Sequence, residues 1–161
     1  MPEKQSQDAA TVVSPGAEER FVAALEAQVH VGMRERLRAG LAADKQVEEV
    51  AIEPLVLRAG GRLLCSERDP LGEAARWAQR QDVRPDDLVV VFGAGAGHHL
   101  EALAARGCET VLLFEPDVRV LAGLLARRGP LAVMEVTDDL ERLRAWVASQ
   151  LTVGKRAQLL L

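Results

Sequence analysis

The stretch Leu88–Leu100, LVVVFGAGAGHHL, decides the fold. Leu88 to Phe92 is an unbroken apolar run with three β-branched residues. That is the pattern of a strand covered on both faces, as in a parallel sheet. Gly93, Gly95 and Gly97 then alternate with alanines. Glycine takes positive φ readily and has no Cβ to hold off a ligand. A helix is predicted from Gly97 to Arg106, stopped by Gly107, and the free N–H groups at its start form a positive pole. Strand, glycine turn and helix in this order can cradle a nucleotide or cofactor. They can equally be the scaffold of a fold that binds nothing.

The unit repeats downstream. Thr110–Phe114 reads as a second strand, Asp117–Arg128 as a helix ended by Gly129-Pro130, and Leu131–Val136 as a third strand. Thr137 or Asp138 is expected to cap a helix running to about Leu151, and Ala157–Leu161 to start a fourth strand. Apolar strands alternating with amphipathic helices predict an α/β fold, a Rossmann-like doubly wound parallel sheet. Right-handed crossovers give the order 3-2-1-4. The run QLLL at Leu161 suggests a sheet cut short, so residues 85–161 read as an incomplete Rossmann-like domain.

Upstream the patterning differs. Residues 1–16 are small and polar and read as a disordered arm. Residues 17–84 read as a helical and hairpin region. Phe21, Leu25, Val29, Met33, Leu37 and Leu41 mark one apolar stripe from Ala17, which Gly32 and Gly40 weaken into two shorter helices. Val47–Leu57 alternates as a strand, Ala59-Gly60-Gly61 turns, and Arg62–Cys65 returns. Asp69 caps a further helix with Pro70 at its first position and Glu73 in its first turn. Trp77 and Trp146, at helical spacing among apolar residues, are assigned to the core.

Candidate ligand-contacting residues follow from the turn. Gly93, Gly95 and Gly97 would lie under a ligand. Glu115, closing the second strand, would accept hydrogen bonds from both hydroxyls of a ribose. A dinucleotide fingerprint needs a small residue where this chain has His98, which disfavours NAD and FAD. A glycine turn followed by an acid after the next strand is similar to the S-adenosylmethionine-binding half of class I methyltransferases, in which Asp138 would approach the adenine. Helix capping and packing compete with each such role for His98, His99, Asp138 and Asp139.

With the flanks included, DPLGEAARWAQ, VVVFGAGAGHHLEAL and LLFEPD together resemble the motility-associated factor family. These are bacterial flagellin glycosyltransferase-like proteins related to archaeal 6-hydroxymethylpterin diphosphokinase-like proteins. Pro70, Glu73 and Ala74 match its Pro-x-x-Glu-Ala helix. Gly93, Gly95, Gly97 and His99 match its glycine turn, with His98 in place of the usual Tyr. Glu115-Pro116 matches the pair closing the second strand. The resemblance runs from about Leu55 to the end. It implies a Rossmann-like N-terminal domain whose sugar-transfer chemistry belongs to a following domain.

Composition narrows the partners. The chain has 161 residues and a net charge of −4, with Arg and Glu interspersed rather than gathered into a basic stripe. Nucleic acid is therefore not expected, since phosphate binding needs clustered cations, and the absence of Tyr with the low aromatic content removes most stacking platforms. Cys65, Cys108 and three histidines fit no metal-site spacing, so no metal is expected. No apolar run reaches membrane-spanning length and no secretory signal precedes the domain, which predicts a cytoplasmic location. Three functions remain open. The chain is a non-catalytic or nucleotide-binding domain of a motility-associated-factor-like protein, a truncated S-adenosylmethionine-dependent methyltransferase, or a protein-interaction module with a vestigial ligand site. The sequence names no catalytic residue for any of them.

Overall fold

The computed structural model describes residues 16–43, 47–151 and 154–161. The arm expected at residues 1–16 lies outside them except for Gly16, which forms the N-cap of the first helix. The elements run α1 (Ala17–Gln28), α2 (Val31–Ala42), β1 (Val47–Ile52), β2 (Leu55–Ala59), β3 (Arg62–Leu63), α3 (Pro70–Arg80), β4 (Leu88–Phe92), α4 (His98–Ala104), β5 (Thr110–Phe114), α5 (Val118–Arg128), β6 (Glu135–Thr137), α6 (Leu140–Leu151) and β7 (Ala157–Leu160).

Four strands form a parallel sheet in the order β6-β5-β4-β7, with helices on both faces. This is a mixed α/β architecture, consistent with a Rossmann-like fold. Alternation along the strands divides the core. Val89, Val91, Val111, Leu113 and Leu160 pack with α1, α2, α4 and α5, whereas Val90 and Leu112 pack under Leu143, Trp146 and Val147 of α6. Trp146 and Trp77 are both only half-buried, at the margins of these clusters. On the α6 side an apolar groove of about 370 Å³ runs along β7 between Leu159 and Leu151.

Among the described residues, the N-terminal region has no core of its own. Phe21, Leu25, Met33 and Leu37 are buried in the same cluster as the sheet, against α5. Gly40 makes the α2–α5 crossing close: a Cβ there would stand 3.0 Å from the Val118 carbonyl oxygen.

Several boundaries differ from the sequence expectation, most of them because of contacts distant in sequence. The long apolar stripe breaks at Val29-His30, not at a glycine. Val29 is extended and bridges Val136, and the His30 ring accepts the Gly32 N–H at 3.2 Å to cap α2. The single strand expected at Val47–Leu57 is two strands turning at Glu53-Pro54, where proline cannot donate to a ladder. With β3, which ends at Leu63 rather than Cys65, they form a three-stranded antiparallel sheet.

The third parallel strand begins at Glu135 rather than Leu131. The Gln28 side chain takes over the backbone before it, donating to the Leu131 and Val133 carbonyls and accepting the Leu131 N–H at 2.7 Å. The cap of α6 is Asp139, whose carboxylate accepts the N–H groups of Glu141 and Arg142. Asp138 turns outward into a bidentate ion pair with Arg36, at 2.9 and 2.6 Å.

β7 is tied to the strand beside it by a buried charge. The Asp87 carboxylate, 1% exposed, accepts two hydrogen bonds from Arg156 at 2.9 and 2.6 Å and the Arg84 N–H at 2.8 Å. Arg156 holds this carboxyl down at about 2, below its ordinary 3.8. A carboxyl with a depressed folded pKa contributes stability that is fully present above about pH 4 and is lost as pH falls through 2. Asp87→Asn should therefore cost about 1–3 kcal/mol at pH 7. Urea denaturation from pH 7 to pH 2 should show the difference from wild type shrinking below pH 4. A constant difference across that range would refute the assignment.

Candidate functional site

The glycine turn leaves β4 at Gly93 and enters α4 after Gly97. All three glycines have positive φ, at 93°, 51° and 83°. Their surroundings differ. A Cβ on Gly93 would meet nothing within 4 Å. One on Gly95 would stand 3.1 Å from the Leu64 carbonyl oxygen and 3.3 Å from the His99 ring. One on Gly97 would stand 3.2 Å from the Arg128 side chain. Two of the three glycines thus make room for the protein's own chain.

Glu115 sits where the sequence places it, at the end of β5, but its carboxylate faces inward. It is 7% exposed. One oxygen accepts the buried Ala94 N–H at 2.7 Å and the other the Asp117 N–H at 2.9 Å. The carboxylate clasps the glycine turn to the β5–α5 loop. Asp138, committed to Arg36, does not join the glycines either.

The two histidines divide their roles. His98 is buried, and its Nε2–H donates to the Leu55 carbonyl at 2.7 Å while Nδ1 accepts from Arg128 at 2.7 Å. It fastens the small antiparallel sheet to the start of α4. Arg128 also pairs with Glu101. His99 lies over the turn, with Nε2 3.2 Å from the Gly93 carbonyl and its ring edge-to-face with Trp77 at 5.3 Å. Burial lowers the pKa of His99, opposed by the Gly93 hydrogen bond and helped by His98 and Arg128. The ring is then neutral at pH 7, with Nε2 donating and Nδ1 left as an acceptor.

Above the turn is a cleft of about 670 Å³ at the C-terminal ends of β4 and β7. That is the crevice in which open α/β sheets place ligands, and the volume suits a small molecule. Its floor is Val91, Phe92, Gly93, Gly95, Ala96 and His99. Its walls are the Leu63–Ser66 segment and the α3 residues Pro70, Glu73, Ala74, Trp77 and Arg80, with His98 and Leu161 at the margins. Arg106 positions α3 by donating to the carbonyls of Ala78, Gln81 and Val83 at its C-terminal end. Asp69 caps the other end, accepting the Gly72 N–H at 3.0 Å.

Of the sequence candidates, the cleft brings together Gly93, Gly95 and His99; Gly97, Glu115 and Asp138 lie outside it. The sequence pattern put Trp77 in the core and Glu73 in the first turn of its helix, and gave Arg80 no role. Their spacing of four and three residues on one helix was the available signal. Among the described residues, no group of three or more His, Cys, Asp or Glu side chains could hold a metal ion, and no helix is long and apolar enough to cross a membrane. Comparison with protein-family models, curated proteins and solved structures finds no match.

Removing the Glu115 carboxylate should act on the fold. Glu115→Ala leaves the Ala94 N–H buried without a partner, a loss of about 1–3 kcal/mol. Urea denaturation should show the midpoint falling accordingly. A wild-type midpoint would mean that the clasp is dispensable.

Proposed function

We propose that the chain is the Rossmann-like N-terminal domain of a motility-associated-factor-like protein linked to flagellin glycosylation. In this reading it takes a small ligand in the cleft above the glycine turn and does not itself carry out transfer. One observation carries the reading. Pro70, Glu73, Ala74, Gly93, Gly95 and His99, six of the residues behind the family resemblance, come from two separate stretches of sequence and line one cleft. Residues gathered only to make a tight turn would not include the α3 face. The strand order β6-β5-β4-β7 agrees with the 3-2-1-4 arrangement of such a domain.

The methyltransferase alternative is less favoured, because it needs Glu115 for a ribose and both carboxylate oxygens already accept backbone N–H groups. The same geometry counts against a nucleoside lying flat across the turn, where Leu64 approaches Gly95.

Trp77 offers a direct reporter. In a Trp146→Phe variant the remaining tryptophan emission comes from the cleft, so a ligand bound there should shift or quench it. Titration with nucleotides and sugar phosphates should give a saturable change. The same protein should show no turnover of sugar nucleotides or of S-adenosylmethionine. Sustained turnover would overturn the non-catalytic part of the reading. A flat emission titration with every compound would move the interaction-module alternative to first place.

A further inference from the structure

Three residues of α3 face the cleft at i, i+4 and i+7: Glu73, Trp77 and Arg80. At 1.5 Å per residue, Glu73 and Arg80 stand about 10 Å apart along the helix axis with the indole between them. The cleft thus carries an anionic group at one end and a cationic group at the other, separated by an apolar surface.

Neither charge is fully spent by the protein. Glu73 accepts the Ser66 N–H through Oε2 at 2.7 Å, which fixes the carboxylate, and Oε1 accepts nothing from the described residues. The Arg80 side chain makes no hydrogen bond or ion pair with any described residue. Most arginines of the described fold are engaged, including Arg76 one turn earlier with Asp69 at 3.1 Å. Between them His99 offers an acceptor at Nδ1 and no charge.

We propose that the cleft selects a hydroxylated molecule bearing a single acidic group, with Glu73 accepting its hydroxyl protons and Arg80 holding the acid. The proposal rests on the reading of the cleft as a binding site and specifies what enters it. The hydroxyl acceptor is then Glu73 rather than Glu115, whose buried carboxylate lies outside the cleft and is turned to two backbone N–H groups. A carboxylate accepts hydroxyl hydrogens without a change in protonation, and a guanidinium matches a phosphate or carboxylate with two parallel donors. A polyphosphate fits poorly: it brings more negative charge than one guanidinium meets, and Glu73 opposes the excess. Nucleoside monophosphates and sugar phosphates share the required chemistry.

Calorimetric titration of the whole chain separates these sources and tests both residues. The probes are AMP, glucose 6-phosphate, adenosine, ADP and 2′,3′-dideoxyadenosine monophosphate. AMP, glucose 6-phosphate or both should bind, AMP more tightly than ADP. Glu73→Gln and Arg80→Gln should each weaken that binding by about tenfold or more. Gln at position 73 keeps an acceptor for the Ser66 N–H, so the local fold is retained. Dideoxyadenosine monophosphate should be insensitive to Glu73→Gln, and adenosine insensitive to Arg80→Gln. Binding that either variant leaves unchanged overturns this assignment and leaves the cleft as a site. ADP binding more tightly than AMP overturns it in the same way. No heat from any probe overturns it together with the binding reading itself.

Discussion

The carboxylate of Glu115 holds the centre of the fold in place. A turn through three glycines with positive φ is entropically costly, because glycine loses more freedom on folding than any other residue. Two charge-assisted hydrogen bonds from one buried side chain offset part of that cost. They join the end of β4 to the start of α5, so two crossover units share one fixed junction. Around this junction the remaining contacts can be exact. Leu64 closes on Gly95, Arg128 on Gly97, and His99 bonds back to the Gly93 carbonyl. Held by two backbone N–H groups and 7% exposed, this carboxylate is turned away from the cleft, whose charged lining comes from α3 instead.

That outward shift depends on the N-terminal region. The small antiparallel sheet and α3 form the walls of the cleft, and each is fastened to the parallel sheet by a hydrogen-bonded side chain from around α4. His98 reaches Leu55 in β2, and Arg106 gathers the carbonyls of Ala78, Gln81 and Val83 at and just beyond the end of α3. All of these bonds are made to backbone carbonyls, so they fix the position of the walls whatever side chains those walls carry. The site is built by packing a second, smaller layer over an α/β turn.

How far the sequence reveals this depends on the range of the interaction. β4 and β5 were legible residue by residue, because an unbroken apolar run bounded by glycine or by polar residues leaves little choice. The glycine turn and the position of Glu115 were legible as well. The direction in which that carboxylate points was not, since period and spacing do not record which of several N–H groups a side chain meets. The break at Val29-His30 was equally hidden. It arises from a bridge to Val136, more than a hundred residues away, which no local propensity encodes. Asp139 and Asp138 are both good capping residues, and the choice between them is made by Arg36 on a distant helix. The spacing of Glu73, Trp77 and Arg80 puts them on one helix face, but only the docked position of α3 makes that face a wall of a cleft.

Gln28 has a consequence for how the chain reaches this state. Its amide completes the backbone hydrogen bonding of Leu131 and Val133, and α1 and α2 bury their apolar stripes against α5. During synthesis the N-terminal helices therefore emerge long before the surface that covers them. Phe21, Leu25, Met33 and Leu37 stay uncovered until α5 is made, and closing so long a loop is slow compared with forming a helix. Nascent chains shorter than about 130 residues should thus be the form most prone to association and most dependent on chaperones.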